Sequence, residues 1–101
     1  MNDRILSAVG LACRAGRIKS GELPVEQAIK SGKTALLIVA SDASENTKKK
    51  LTDKCSRRNI PCITYADMEM LGRAVGKGDR AAVAILDEGF AKSILKQLPE
   101  G

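Results

Sequence analysis

From residue 3 to 15, Ile5, Val9, Ala12 and Cys13 recur at helical spacing, which predicts a first helix with Gly16 at its left-handed C-terminal cap. "RIKSG" follows as a short extended piece closed by Gly21. "ELPVEQAIKSG" predicts a second helix, with Pro24 in its first turn, an inward stripe of Val25, Ala28 and Ile29, and Gly32 as its stop. "TALLIVAS" is apolar without alternation, the pattern of a central strand covered on both faces. Asp42 or Ser44 is suited to cap a third helix, with Glu45 three residues after Asp42 as in a capping box. Thr47, Leu51 and Cys55 line one side of that helix. "IPCITYA" predicts a further strand, which Pro61 places near a sheet edge. "DMEMLGRAVG" is a short helix running into the glycine-rich "GKGD", "RAAVAILD" another apolar strand, and "EGFAKSILKQL" a closing helix with Phe90, Ile94 and Leu98 on one face. Helices alternate with strands throughout. That order predicts one α/β domain spanning 1–101, a three-layer α/β/α sandwich around a small, mostly parallel sheet.

Composition narrows the chemistry. The chain has 101 residues, 44% of them hydrophobic, enough for one modest core, with no apolar run near the ~20 residues that span a bilayer. The start "MNDRILSAVG" lacks the features of a signal peptide, so the expected location is cytoplasmic. Cys13, Cys55 and Cys62 lie far apart without CxxC spacing, and the chain has no histidine. Disulfide, zinc and Ser-His or Cys-His readings are therefore disfavoured, the cysteines read as small core residues, and no metal, cofactor or catalytic residue is expected. Asp87 and Glu88 suit the positive start of the last helix, and Asp42 an N-cap. With Phe90 and Tyr65 the only aromatics, recognition by base stacking on an aromatic platform is also disfavoured.

The charge is one-sided. Between Arg14 and Arg58 eleven Lys/Arg face five Asp/Glu, whereas the rest of the chain has six against seven, so the whole net charge of +5 comes from that stretch. Such asymmetry is a normal footprint of nucleic-acid binding, although solubility alone accounts for it equally well. "TKKKLTDKCSRR" puts six cations on the third helix, a solvated face by default and a phosphate-tracking surface otherwise. "GKT" at Gly32 to Thr34 has the look of a P-loop ending. Gln27, however, stands where the first glycine belongs, and a helix precedes the tripeptide where a strand should.

"RIKSG", the eleven residues from Gly21 to Gly32, "ALLIVASDA", "NIPCITY" and "LGRAVG" fall in one order with linked gaps. In this the chain resembles the kink-turn-binding ribosomal protein superfamily, of the L-seven-Ae and L-thirty-e type. "ASDASENTKKKLTDKC", "LGRAVGK" and "DEGFAK" are most similar to its bacterial YlxQ-like branch. The resemblance covers nearly the whole chain. It implies a four-stranded mixed sheet and a non-enzymatic, monomeric partner of structured RNA, kink-turn or ribosomal. It also implies an RNA-binding rim in two patches: Arg17, Lys19, Ser20, Gly21, Glu22 and Gln27, then Gly72, Arg73, Val75, Gly76 and Lys77. One departure stands out. Archaeal kink-turn binders carry Thr-Asn-Glu after the glycine and a Lys three residues beyond the Glu, where this chain has Glu22, Leu23, Pro24 and Gln27. Leu and Pro side chains cannot hydrogen-bond guanine edges. Two missing contacts at about 1–3 kcal/mol each would lower kink-turn affinity by roughly two orders of magnitude. The alternative expectation is a protein-interaction module that kept the fold and lost RNA recognition.

Overall fold

A computed structural model describes residues 3–98. The chain runs α1 (Arg4–Arg14), β1 (Ile18–Ser20), α2 (Glu22–Lys30), β2 (Leu36–Val39), α3 (Glu45–Arg57), β3 (Cys62–Thr64), α4 (Met68–Ala74), β4 (Ala82–Ile85) and α5 (Glu88–Gln97). The four strands form one mixed sheet in the order β1-β4-β2-β3. α1, α4 and α5 pack together on one face, and α2 and α3 on the other, giving the α/β/α sandwich. β2 and β4 are buried at every residue, as unalternating apolar strands at the centre must be. β3, behind Pro61, is half-buried and forms an edge.

The core is aliphatic. Ile5, Val9, Val25, Ile29, Leu51, Leu71 and Ile94 from the helices meet Leu36 to Val39 and Ala82 to Ile85 from the sheet. Gly16 and Gly32 close α1 and α2 as expected. Asp3, Ser44, Asp67 and Asp87 each cap a helix by accepting a backbone N–H of its first turn. Cys55 is buried, whereas Cys13 and Cys62 are half-buried, and all three are free thiols.

Two local expectations are corrected. The sheet is not mostly parallel: β2 pairs β3 in parallel, but β4 runs antiparallel to both β1 and β2. The registers give the reason. Val39, at the end of β2, lies opposite both Thr64, where β3 ends, and Ala82, where β4 begins. The connection through α4, only seven residues or ~10 Å long, therefore stays at one end of the sheet instead of crossing back over it. Asp42 also does not cap α3. Ser44 does, and Asp42 Oδ1 accepts the Met68 N–H at 2.8 Å, bracing the start of α4.

This topology positions the candidate site. β1, β2 and β3 end where β4 begins, so the β1–α2 turn, the N-terminus of α3, α4 and its following loop gather at one end of the sheet. Crevices outside the carboxyl ends of strands are where α/β sheets most readily bind ligands.

Candidate nucleic-acid interface

Gly21 makes the turn. Its φ of +92° is open to glycine and strained for any other residue, and its N–H donates to the Ala82 carbonyl at 3.2 Å. α2 starts at the next residue with no side chain capping it among the described residues. Pro24 has no N–H to offer, and the Val25 N–H is used by the Gly21 carbonyl at 3.1 Å. The amides of Glu22 and Leu23 have no acceptor among the described residues and lie at the positive end of the helix, an arrangement suited to an anion.

Glu22 is the carboxylate in the first turn of α2, and it is occupied. Oε2 accepts from the Lys50 ammonium of α3, and Oε1 accepts from the Thr47 hydroxyl at 3.1 Å. The Lys50 bond, then the Thr47 bond, hold the Glu22 carboxyl below its ordinary value, and Glu22 in turn raises the Lys50 ammonium. Lys50 also lies 3.4 Å from Glu26. Ser44, Asn46, Thr47, Lys50 and Glu22 line a small cleft where the N-termini of α2 and α3 converge.

The second wall is the loop after α4. Gly72 is buried, and a Cβ there would sit 2.1 Å from the Gly78 carbonyl oxygen, so this glycine lets the loop fold back over the helix. The Lys77 N–H donates to the Gly72 carbonyl at 2.8 Å and secures that approach. Arg80 then ties the two walls together. Its Nε donates to Ser20 Oγ at 3.3 Å, and its terminal nitrogen donates to the carbonyls of Gly78 and Asp79 at 3.3 and 2.9 Å.

The residues expected at the rim fall into three groups. Ser20, with Gly21 and Glu22 next to it in the β1–α2 turn, is joined through Arg80 to the loop that holds Gly76 and Lys77, while Lys19 is exposed on β1 and Gln27 is exposed one turn along α2. Gly72 and Val75 are buried beneath the loop and shape it. The backbone of Arg17 and the side chain of Arg73 lie away from this corner. Arg17 accepts the Leu86 N–H on its carbonyl at the opposite end of β1, four residues or ~13 Å from Gly21. Arg73 lines a groove between α1 and α4 and lies 3.5 Å from Glu69. Arg80, Thr47 and Lys50 were not among the expected rim residues. Arg80 could have been found from its place immediately before the last apolar strand, but only with β4 known to pair with β1. Leu23, at the position where an Asn was expected from the resemblance, is 70% exposed.

Known proteins give this geometry a lineage. The sequence model of the family described as "Ribosomal protein L7Ae/L30e/S12e/Gadd45 family" matches residues 3–95. The chain is 40% identical over 90 residues to "RNA-binding protein YlxQ" of Bacillus subtilis (strain 168), covering 89% of this chain and 90% of that one. It is also 40% identical over 99 residues to "RNA-binding protein YlxQ" of Enterococcus faecium, covering 98% and 94%. Among solved structures, a Bacillus halodurans C protein of unknown function superposes with a TM-score of 0.90 at 40% identity, over 94% of this chain and 96% of that one. The Giardia lamblia 15.5kD RNA binding protein shares the fold, with a TM-score of 0.78 at 20% identity over 95% and 86%.

Proposed function

The chain belongs to the Ribosomal protein L7Ae/L30e/S12e/Gadd45 family, and from that premise we propose that it binds structured RNA at the sheet end where α2 begins. The observation that carries this reading is the pair of uncapped amides at Glu22 and Leu23, walled by the Gly76–Arg80 loop that Arg80 fastens to Ser20. The amides and helix dipole seat a phosphate or base edge, and Lys19 and Lys77 supply the surrounding field. Lys50 and Thr47 hold the Glu22 carboxylate on the α3 side of the corner, which offsets its repulsion of a polyanion. The relatives named RNA-binding protein YlxQ support the ligand class. The protein works as a monomeric, non-catalytic, cytoplasmic component associated with ribosomal RNA. Its preference for kinked RNA is relaxed or altered, since Leu23 and Pro24 present apolar surface where hydrogen-bonding side chains would read guanine edges.

The test is a titration of a kink-turn RNA and an unbent duplex of equal length at several salt concentrations. Tighter binding to the kinked RNA is expected. Binding to neither at low salt would end the proposal, and equal binding to both would reduce it to charge attraction. Lys19→Ala with Lys77→Ala is expected to weaken binding more than Lys49→Ala with Lys50→Ala, and the reverse ranking would move the site onto α3.

A second reading is favoured by the exposure of Leu23 beside Pro24: a protein-docking corner on an inherited fold. A partner captured equally well from nuclease-treated and untreated lysate would support it over RNA.

A further inference from the structure

The six cations of α3 do not act as one surface. Lys48 lies 3.7 Å from Glu45, and Lys50 is taken by Glu22 and Glu26. Lys54, Arg57 and Arg58 have no carboxylate within 4.0 Å among the described residues, and neither does Lys30 at the end of α2. These four cations, with Ile29 as floor, line a groove between the C-terminal ends of α2 and α3. α2 and α3 run side by side in the same direction, since Glu22 meets Thr47 and Lys50 at one end and Lys30 shares the groove with Lys54 and Arg57 at the other. The channel between them therefore has its carboxylates, Glu22 and Glu26, gathered around Lys50 at the end near the proposed site, and a lining of cations without acids at the far end.

The bland account is compensation of the helix dipoles, and its magnitude is too small. Each helix C-terminus carries about half a negative charge, roughly −1 for the two, against four cations. An excess of about three positive charges remains, in a groove that no acidic residue lines. Solubility does not account for it either: Glu22 and Glu26 are gathered at the opposite end, where they tie up Lys50, and Asp53, the acid of α3 next to Lys54, neither lines the groove nor pairs with its cations.

We propose that Lys30, Lys54, Arg57 and Arg58 form a second phosphate-binding site for the backbone of an RNA stem leaving the Glu22–Leu23 corner. This inference rests on the RNA-binding reading above and deepens it by fixing the direction in which the RNA runs. Glu22 and Lys30 are eight residues apart on one helix, a distance of ~12 Å that a stem must extend to reach the groove. Four separate cations with no donor pattern for base edges read backbone charge and not sequence. Two of them are arginines, whose planar forks suit phosphate oxygens.

The probe is a pair of RNAs sharing one kinked core, one with its stem cut to a few base pairs and one with that stem extended by a helical turn. The comparison is between the wild-type chain and Lys54→Gln/Arg57→Gln/Arg58→Gln, glutamine being an adequate helix former on exposed positions. Lys30→Gln serves as an independent single variant on the other helix. The expected result is that wild type binds the long-stem RNA more tightly. The triple variant loses roughly tenfold on that RNA, with a salt slope shallower by about three, and is unchanged on the short one. Lys30→Gln moves in the same sense with a slope change of about one. Equal loss on both RNAs would overturn the proposal in favour of a general field effect, and no loss on either would leave only helix-end compensation. If wild type binds neither RNA, the RNA-binding reading itself fails and takes this one with it. If wild type binds both RNAs equally and the variants match it, this inference alone is overturned.

Discussion

Lys50 donates to Glu22, so a cation of the third helix neutralises the single carboxylate standing at the uncapped start of the second. That pair decides whether the corner attracts or repels a polyanion. Glu22→Gln removes one negative charge and leaves Lys50 to Glu26 alone, so RNA affinity should rise severalfold at low salt. Lys50→Gln leaves the carboxylate unopposed and should weaken binding. Anisotropy titrations over a salt series check both. In the free protein the pair also sets a pH dependence. The Glu22 carboxyl is lowered in the fold, so its contribution to stability is present above its ordinary value of 4.5 and lost as pH falls through the folded value.

The two glycines that meet under the loop should respond differently to a methyl group. Gly72→Ala would drive Cβ into the Gly78 carbonyl and should destabilise the fold by about 1–3 kcal/mol while shifting the loop. Gly78→Ala meets open space and should stay within about 0.5 kcal/mol of wild type. Urea denaturation of the two variants measures the contrast.

Alkaline stability should trace to Tyr65. Its hydroxyl donates to Asp3 Oδ2 at 2.7 Å, while the other carboxylate oxygen of Asp3 caps α1 through the Leu6 N–H at 2.9 Å. The bond to Asp3 raises the phenol above its ordinary value of 10.0, and burial adds to it. A raised group contributes stability that is complete below the unfolded value and is lost as pH rises through the folded one. Thermal melts of wild type should therefore fall above pH ~10, and those of Tyr65→Phe should start lower but fall less over the same range.

Cys62 should alkylate before Cys55. Interaction with Cys55 lowers the Cys62 thiol from its ordinary value, whereas the same interaction and burial push Cys55 up. Cys55 is also fully buried and Cys62 only half so. Mass spectrometry of the native protein during a timed iodoacetamide reaction reads the order, and Cys55 modified first would contradict it.

Leu23→Asn with Pro24→Glu should restore preference for a kinked RNA by at least about tenfold, because each side chain regains a hydrogen bond to a base edge. An unchanged ratio between kinked and unbent RNA would mean that the rim geometry does not hold those side chains where the bases lie.

Local structure was legible in the sequence wherever one period dominated. Ile5, Val9 and Ala12, or Val25, Ala28 and Ile29, point inward because a 3.6-residue repeat leaves them no other arrangement. Leu36 to Val39 carry the unalternating apolar pattern of a central strand, and they form one. What was not legible depended on partners distant in the chain. Strand direction for β4 follows from where α4 returns the chain, which alternation does not encode. Asp42 looks like a cap for the helix it precedes, yet its carboxylate serves Met68, 26 residues on. At the site, "RIKSG" and "LGRAVG" located the two walls, and Arg80, the residue that joins them, carries no local signal because its meaning lies in Ser20. Arg17 and Gly21 sit in one five-residue motif, but an extended chain carries them to opposite ends of the sheet.

RNA docking at the Glu22 and Leu23 amides and the Gly76–Arg80 loop has a direct readout. Titrating a short kinked RNA into isotope-labelled protein and following backbone amide shifts tests it residue by residue. Glu22, Leu23, Gly76 and Lys77 should move first and furthest. Shifts concentrated in the α1–α4 groove around Leu11 and Met70, with the Glu22 and Leu23 amides unmoved, would contradict it.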